Sequence, residues 1–278
     1  NIKTTELINS VVFLLYKINN SGFTTALKKK WKNRRIRYMK KIGCQTITWG
    51  DLNRFDIEKV FTEVKKAGYN GLEIGARRLY NNHISSYLTL LEKNELELIA
   101  LHTGGDFLNK ESVKNQRDNI DDIINMIKQL KGKFLFISGL YKENKSDQDY
   151  KNEAINYNII GKMCREQGIT LCYHNHNWEI ENSLTGLKIL LENTEPKNMG
   201  LVPDLGWISR GGFDPDKVIK YIYERIKAIH FKDFKKNGDF IELGQGVVDL
   251  HNAYQLIKDK NIWIIAEQDE TEKKPYVS

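Results

Sequence analysis

From Ile42 to Glu267 the chain alternates between two kinds of hydrophobic pattern. Short runs rich in β-branched and aliphatic residues are each followed by a longer segment with helical spacing or capping signals. Eight runs predict strands: 42–49 (IGCQTITW), 71–75 (GLEIG), 96–102 (LELIALH), 133–139 (KFLFISG), 169–175 (ITLCYHN), 199–204 (MGLVPD), 227–233 (KAIHFKD) and 262–268 (IWIIAEQ). Helices are predicted over 56–67, 111–130, 149–167, 184–192, 214–226 and 250–260. Punctuation supports these limits. Asp214 can cap a helix that carries Pro215 in its first turn, and Gly68 and Gly168 can close helices at their C-termini. Eight βα units in one domain-sized chain predict an α/β fold, a (β/α)8 TIM barrel. An open doubly wound sheet is the alternative, weakened by the absence of a GxGxxG turn after the first strand.

Charge refines the domain limits. Residues 1–40 hold ten Lys or Arg against one acid, Glu6, whereas the remaining chain carries 33 basic and 35 acidic residues. The overall excess of +7 therefore belongs to a basic N-terminal extension, 1–40, and the barrel domain, 41–278, gives no reason to expect a nucleic-acid surface. The first methionine is Met39, which is read as the natural start, with the preceding residues upstream or appended; an amphipathic helix docked on the barrel is the other reading. The run LINSVVFLLYKI from Leu7 is too short and too interrupted to span a bilayer, which needs roughly 20 apolar residues. Three widely spaced cysteines, Cys44, Cys164 and Cys172, fit reduced thiols in a cytoplasmic protein.

In a barrel of this kind, reactive groups stand at the C-terminal strand ends. Those ends read Trp49, Glu73, His102, His174 with His176, Asp204, His230 with Lys232 and Asp233, and Glu267 with Asp269. A lone strand-end histidine is usually satisfied by a loop carbonyl. Here, however, Asp204, His230 and Glu267 end three successive strands, and a His-Asn-His ends the one before. Mixed nitrogen and carboxylate donors suit a borderline divalent ion, Mn2+, Zn2+, Co2+ or Fe2+, better than Mg2+ or Ca2+.

The segments YHNHNWE, PDLGW followed by GGFDP, IHFKD, LGQGVVD and AEQD, in this order and spacing, resemble the xylose-isomerase-like barrel superfamily. The resemblance is to its branch of sugar phosphate isomerases/epimerases and inosose dehydratases. It runs from about Ile42 to Asp269 and implies a metal held on the last four strands, by Asp204, His230, Glu267 and a residue of the His-Asn-His. His174 stands where the family's epimerases place a ligand Glu; His176, two residues on, points to the same side of an extended strand and is the other candidate. With only Glu267 left of the family's glutamate pair, the proton-transfer groups implied are Glu267 and the spare histidine, His176. Glu73, His102, Glu179 and Lys232 are expected to bind substrate, Trp49 and Trp207 to wall the pocket, and Asp233 and Asp269 to orient metal ligands.

The activity implied is isomerisation or epimerisation of a small carbohydrate, a sugar or keto-sugar, phosphorylated or not, through an enediolate. Elimination from an inosose or 3-keto-glycoside is the runner-up. An endonuclease IV-like nuclease would need more metal ligands and a basic groove. A truncated, inactive fragment is the non-enzymatic alternative, because the chain stops soon after the eighth strand with no helical segment to cover it. Neither nucleic acid nor membrane is an expected partner, and a homo-oligomer stays open.

Overall fold

The computed structural model describes residues 41–50, 57–79, 83–108, 110–271, 273 and 275, without the side chains of 110–118. The basic extension and the question of Met39 lie outside them. The barrel strands are β1 (Ile42–Gln45), β2 (Gly71–Gly75), β3 (Glu97–Gly105), β4 (Phe134–Gly139), β5 (Thr170–Tyr173), β6 (Gly200–Leu201), β7 (Ala228–Phe231) and β10 (Trp263–Ala266). They are parallel, in the order β6-β5-β4-β3-β2-β1-β10-β7. Two isolated bridges, Leu201 with Ile226 and Asp204 with His230, join the outer strands and complete the circuit. β8 (Asp233–Phe234) and β9 (Phe240–Ile241) form a separate antiparallel hairpin above the rim.

The helices are α1 (Ile57–Lys66), α2 (Ile84–Lys93), α3 (Lys110–Gln129), α4 (Asp147–Glu166), α5 (Glu181–Glu192), α6 (Leu205–Arg210), α7 (Pro215–Ile222) and α8 (Leu250–Ile257). Their ends follow from local chemistry. Ser146 and Asp149 form a reciprocal capping box on α4, and Asp214 caps α7 ahead of Pro215. Gly68 and Gly168, at φ 89° and 78°, occupy the left-handed region just past α1 and α4, where a side chain would be strained. Asn182, Ser183 and Leu184 also have positive φ, so the regular part of α5 begins only afterwards.

Several elements depart from the sequence pattern, among them α2, which has no counterpart in the predicted helices, and the β8–β9 hairpin. Residues 46–49 turn into a 3-10 helix and do not extend β1, because Gln45 caps that turn through Ile47 N–H. The short α6 is absent from the hydrophobic periodicity, since six residues are under two helical turns. Between strands and helices lies the larger core, while Ile99, Ala100, Phe136, Cys172, Val202, Ala228, Trp263 and Ile265 fill the barrel interior. Burying each large apolar side chain contributes about 1.5–3 kcal/mol, and this plug closes the bottom, so the polar strand ends open only upward. After β10 the described residues hold no α-helix; Pro275 has 3-10 helical conformation.

Candidate metal centre

Four strand ends bring one donor atom each to a common point. His174 follows β5 and is still tied to the ladder by its N–H to Ile137 O (2.8 Å); Glu267 follows β10, its N–H bonded to Phe231 O (3.1 Å). His230 is on β7, and Asp204 caps α6 by accepting Trp207 N–H on Oδ1 (2.9 Å). Donor atoms of His174, Asp204, His230 and Glu267 lie within 4.8 Å of one another, and all four residues are buried. His174 Nε2 is 3.5 Å from Asp204 Oδ2 and 3.7 Å from Glu267 Oε2; His230 Nδ1 is 4.0 Å from Asp204 Oδ2 and in direct contact with Glu267 Oε2.

His174 Nε2 and Asp204 Oδ2 are buried without a hydrogen bond. An unsatisfied buried polar atom costs about 1–3 kcal/mol. Two of them aimed at one spot, in a mixed nitrogen and oxygen set, fit a borderline divalent cation such as Mn2+, Zn2+, Co2+ or Fe2+.

Electrostatics agree with a charge-dense centre. Lys232 Nζ lies 3.3 Å from Asp204 Oδ2, 3.4 Å from Glu267 Oε1 and 3.1 Å from Asp269. Burial opposes its charge, but these three carboxylates outweigh burial and hold the ammonium well above its usual range. Burial would raise Glu267; Lys232 and His230 reverse that and keep it ionised. Asp269 is pushed up to about 6 by burial and by Glu267.

Beneath the donors sits Glu73, with no exposed surface. Its Oε1 meets His102 Nδ1 and Gln45 Nε2, both at 2.8 Å, and its Oε2 meets His230 Nε2 at 2.6 Å. Burial alone would raise this carboxyl, but the His230 charge and the hydrogen bonds from His102 and His230 bring it down to about 2. His102 Nε2 reaches Ser138 Oγ (2.9 Å), which in turn lies 3.3 Å from His174 Nδ1. The Phe136 ring meets His102 and His230 edge to face and forms the floor.

Above the donors opens a cavity of about 420 Å3, within the range of small-ligand sites. His102, His174, His176, Lys232, Glu267, Asp269 and Trp207 line it, with Arg77 and Arg78 at its rim. His176 does not join the donor cluster. It stacks on Trp178 at 4.2 Å, and burial, with the charges of His174 and Lys232, lowers its imidazole to about 2, so it faces the cavity neutral.

Several expected pocket residues serve elsewhere. Glu73 is not on the cavity wall, and neither is Glu179, whose carboxylate accepts Tyr173 O–H (2.9 Å) and His176 N–H (2.7 Å) from behind the loop. Trp49 packs away from the cavity and donates to Glu63. Asp233 turns from the donors and accepts N–H groups of Phe234, Gly244, Gly246 and Val248, pinning the GQG loop. The sequence reading missed Gln45, Ser138 and Asn175, whose Oδ1 accepts Asp204 N–H (3.0 Å). A polar Ser138 near the end of the apolar run FLFISG was the available signal.

The family profile described as "Xylose isomerase-like TIM barrel" matches residues 61–276. An inosose dehydratase of Mesomycoplasma hyopneumoniae (strain 7448) is 26% identical over 291 residues, covering 89% of this chain and 93% of that protein. A sugar phosphate isomerase/epimerase from Parabacteroides distasonis shares the fold with a TM-score of 0.73 at 20% identity, covering 87% of this chain and 91% of that one. So does the IolI protein crystallised with a zinc atom, at TM-score 0.67 and 17% identity, covering 85% and 91%.

Proposed function

Since this chain belongs to the xylose isomerase-like TIM barrel family, we propose that it is a divalent-metal-dependent enzyme of the sugar isomerase/epimerase type, acting on a keto-sugar or keto-polyol. The observation that carries the reading is the convergence of His174 Nε2, Asp204 Oδ2, His230 Nδ1 and Glu267 Oε2 below a cavity of sugar size. A bound divalent ion would supply Lewis-acid polarisation of the substrate carbonyl.

The chain's own groups account for the rest. Glu267 is an ionised carboxylate facing the cavity and takes the proton from the carbon next to the carbonyl. The C–H electron pair becomes the C=C bond of an enediolate, and the carbonyl π pair moves to oxygen. Lys232, held by three carboxylates, faces the developing negative oxygen, while Trp207 and the His176–Trp178 stack pack against the carbon skeleton. Return of the proton to the former carbonyl carbon, with the hydroxyl proton of the first carbon passing to the former carbonyl oxygen as the new C=O forms, gives the isomer; return to the first carbon from the other face gives the epimer.

A second reading, dehydration, is favoured by a specific arrangement. Among the described residues the cavity-lining carboxylates are Glu267 and Asp269, both at the end of β10. Epimerisation by two carboxylates needs them on opposite faces of the substrate; two on the same side suit removal of a proton and protonation of a departing β-hydroxyl. In that branch the enediolate pair forms the new C=C bond as water leaves.

Incubation of the Mn2+-, Zn2+-, Co2+- or Fe2+-loaded protein with keto-sugars and inososes in D2O tests both. Solvent deuterium entering the substrate skeleton with retention of all hydroxyls is the result expected for isomerisation, and an unsaturated dehydrated product marks the second branch. Glu267→Gln is expected to lower exchange at least about 100-fold as the loss of a general base. Absence of exchange and of dehydration with every substrate and metal overturns the proposal.

A further inference from the structure

The geometry points to Glu73 as a positioning residue that fixes the tautomers of both histidines at the candidate metal centre, His230 directly and His174 through His102 and Ser138. This rests on the reading of that centre as a metal site. It follows from counting hydrogens along two chains that begin on one carboxylate.

An ionised carboxylate only accepts. Glu73 Oε2 lies 2.6 Å from His230 Nε2, so Nε2 carries the hydrogen. His230 Nδ1 faces Asp204 and is in direct contact with Glu267 Oε2, so without an ion it shares a proton with that carboxylate; with Nε2 held by Glu73, Nδ1 is the nitrogen that gives up its proton to a cation. Glu73 Oε1 lies 2.8 Å from His102 Nδ1, so the His102 hydrogen is there and its Nε2 is an acceptor. The Ser138 hydroxyl, 2.9 Å away, donates to that Nε2. Its single hydrogen thus committed, Ser138 Oγ can only accept from His174 Nδ1 at 3.3 Å. His174 then carries its proton on Nδ1 and leaves Nε2 bare, and Nε2 is the buried, unpartnered atom beside Asp204 Oδ2. Each chain fixes the hydrogen on the far nitrogen of its histidine, so that with a cation bound it is the nitrogen at the donor cluster that offers its lone pair.

The second chain has a chemical reason to exist in this protein. A glutamate ligand has no tautomer to set, whereas a histidine at the same place binds a cation only if its far nitrogen holds the proton. His174 therefore needs an acceptor behind it, and the Ser138–His102–Glu73 series supplies one that terminates on a full negative charge.

The test uses Zn2+, which is diamagnetic, with affinity measured by chelator competition and histidine tautomers read by two-bond 1H–15N correlation. The Zn2+-loaded wild-type protein is expected to show His230 as the Nε2–H form and His174 as the Nδ1–H form. In Glu73→Gln the amide donates through one side, so at least one chain reverses, and Zn2+ affinity should fall roughly 10–100-fold. Ser138→Ala should disturb the His174 tautomer and leave that of His230 unchanged, and Ser138→Thr, which keeps the hydroxyl, should restore it. A purely structural role would shift stability without this selective pattern. Unchanged Zn2+ affinity and tautomers in Glu73→Gln overturn the inference; should that variant fail to fold, unchanged affinity and His174 tautomer in Ser138→Ala do so. Failure of wild-type protein to bind stoichiometric Zn2+ removes the metal reading itself, a different outcome from either.

Discussion

Glu179 sits in a place ill suited to a negative charge. It has no exposed surface, and the nearby Lys145 is already paired with Glu153 at 2.7 Å. Burial therefore pushes its carboxyl up to about 7 from an ordinary value of 4.5, despite hydrogen bonds from His176 and Tyr173. Between these two values the folded state holds a proton that the unfolded chain has released. The stabilisation is thus complete below about pH 4.5 and is lost as pH rises through about 7. A shift of this size corresponds to about 3 kcal/mol. Glu179→Gln, which mimics the protonated form, should remove the dependence: between pH 4.5 and 8, wild-type stability in urea should fall relative to the variant by up to about 3 kcal/mol. A gap that stays constant with pH would show the carboxyl ionised throughout. The residue scale is also where sequence reading divides most sharply. The donors Asp204, His230 and Glu267 were legible because each ends a predicted strand. Glu73 and Glu179 end or follow strands too, yet a carboxylate that binds sugar and one that holds a neighbouring histidine or loop N–H look identical until the partner on another strand is known.

Among the elements, the loop after the β8–β9 hairpin shows how one side chain organises a segment. Both Asp233 oxygens are used, Oδ1 by Phe234 and Val248 N–H and Oδ2 by Gly244 and Gly246 N–H. The chain passes so close that a Cβ on Gly246 would sit 2.2 Å from Asp233 Oδ1 and 2.3 Å from Phe234 O. Gly246→Ala should therefore cost about 1–3 kcal/mol as overpacking, and Asp233→Ala, which strands four N–H donors, about 3 kcal/mol or more. Thermal unfolding of the two variants measures both, and a larger loss for Gly246→Ala would place the cost in backbone crowding ahead of the lost acceptor. The barrel strands and most of the long helices were readable from periodicity because each buries a regular face; α2 and the β8–β9 hairpin were not among the predicted elements. The 3-10 turn at 46–49 and the six-residue α6 were not, since their shape is set by single caps, Gln45 and Asp204, and not by a repeating pattern.

At the scale of the molecule, the described residues hold no helix long and apolar enough to cross a membrane, and the three buried cysteines form no disulfide. Cohesion rests on the packed barrel and on how its ends meet. Most neighbouring strands share full ladders, six paired positions between β3 and β4 for example, but β6 and β7 meet only at Leu201 with Ile226 and Asp204 with His230. The backbone bonds there are Lys227 N–H to Leu201 O and His230 N–H to Pro203 O, each 2.9 Å. One of the two bridges is made by two of the four donor residues. An ion shared by Asp204 and His230 would thus work as a clasp across this join in the wall. Hydrogen exchange should show this directly: on chelation, the amides of Lys227 and His230 should lose protection while those of the β3–β4 ladder keep theirs. Uniform loss would mean that the ion acts on global stability alone. If the clasp operates, readiness for chemistry and integrity of the wall rise and fall together, and the chain that has yet to acquire its ion is also the one that opens first.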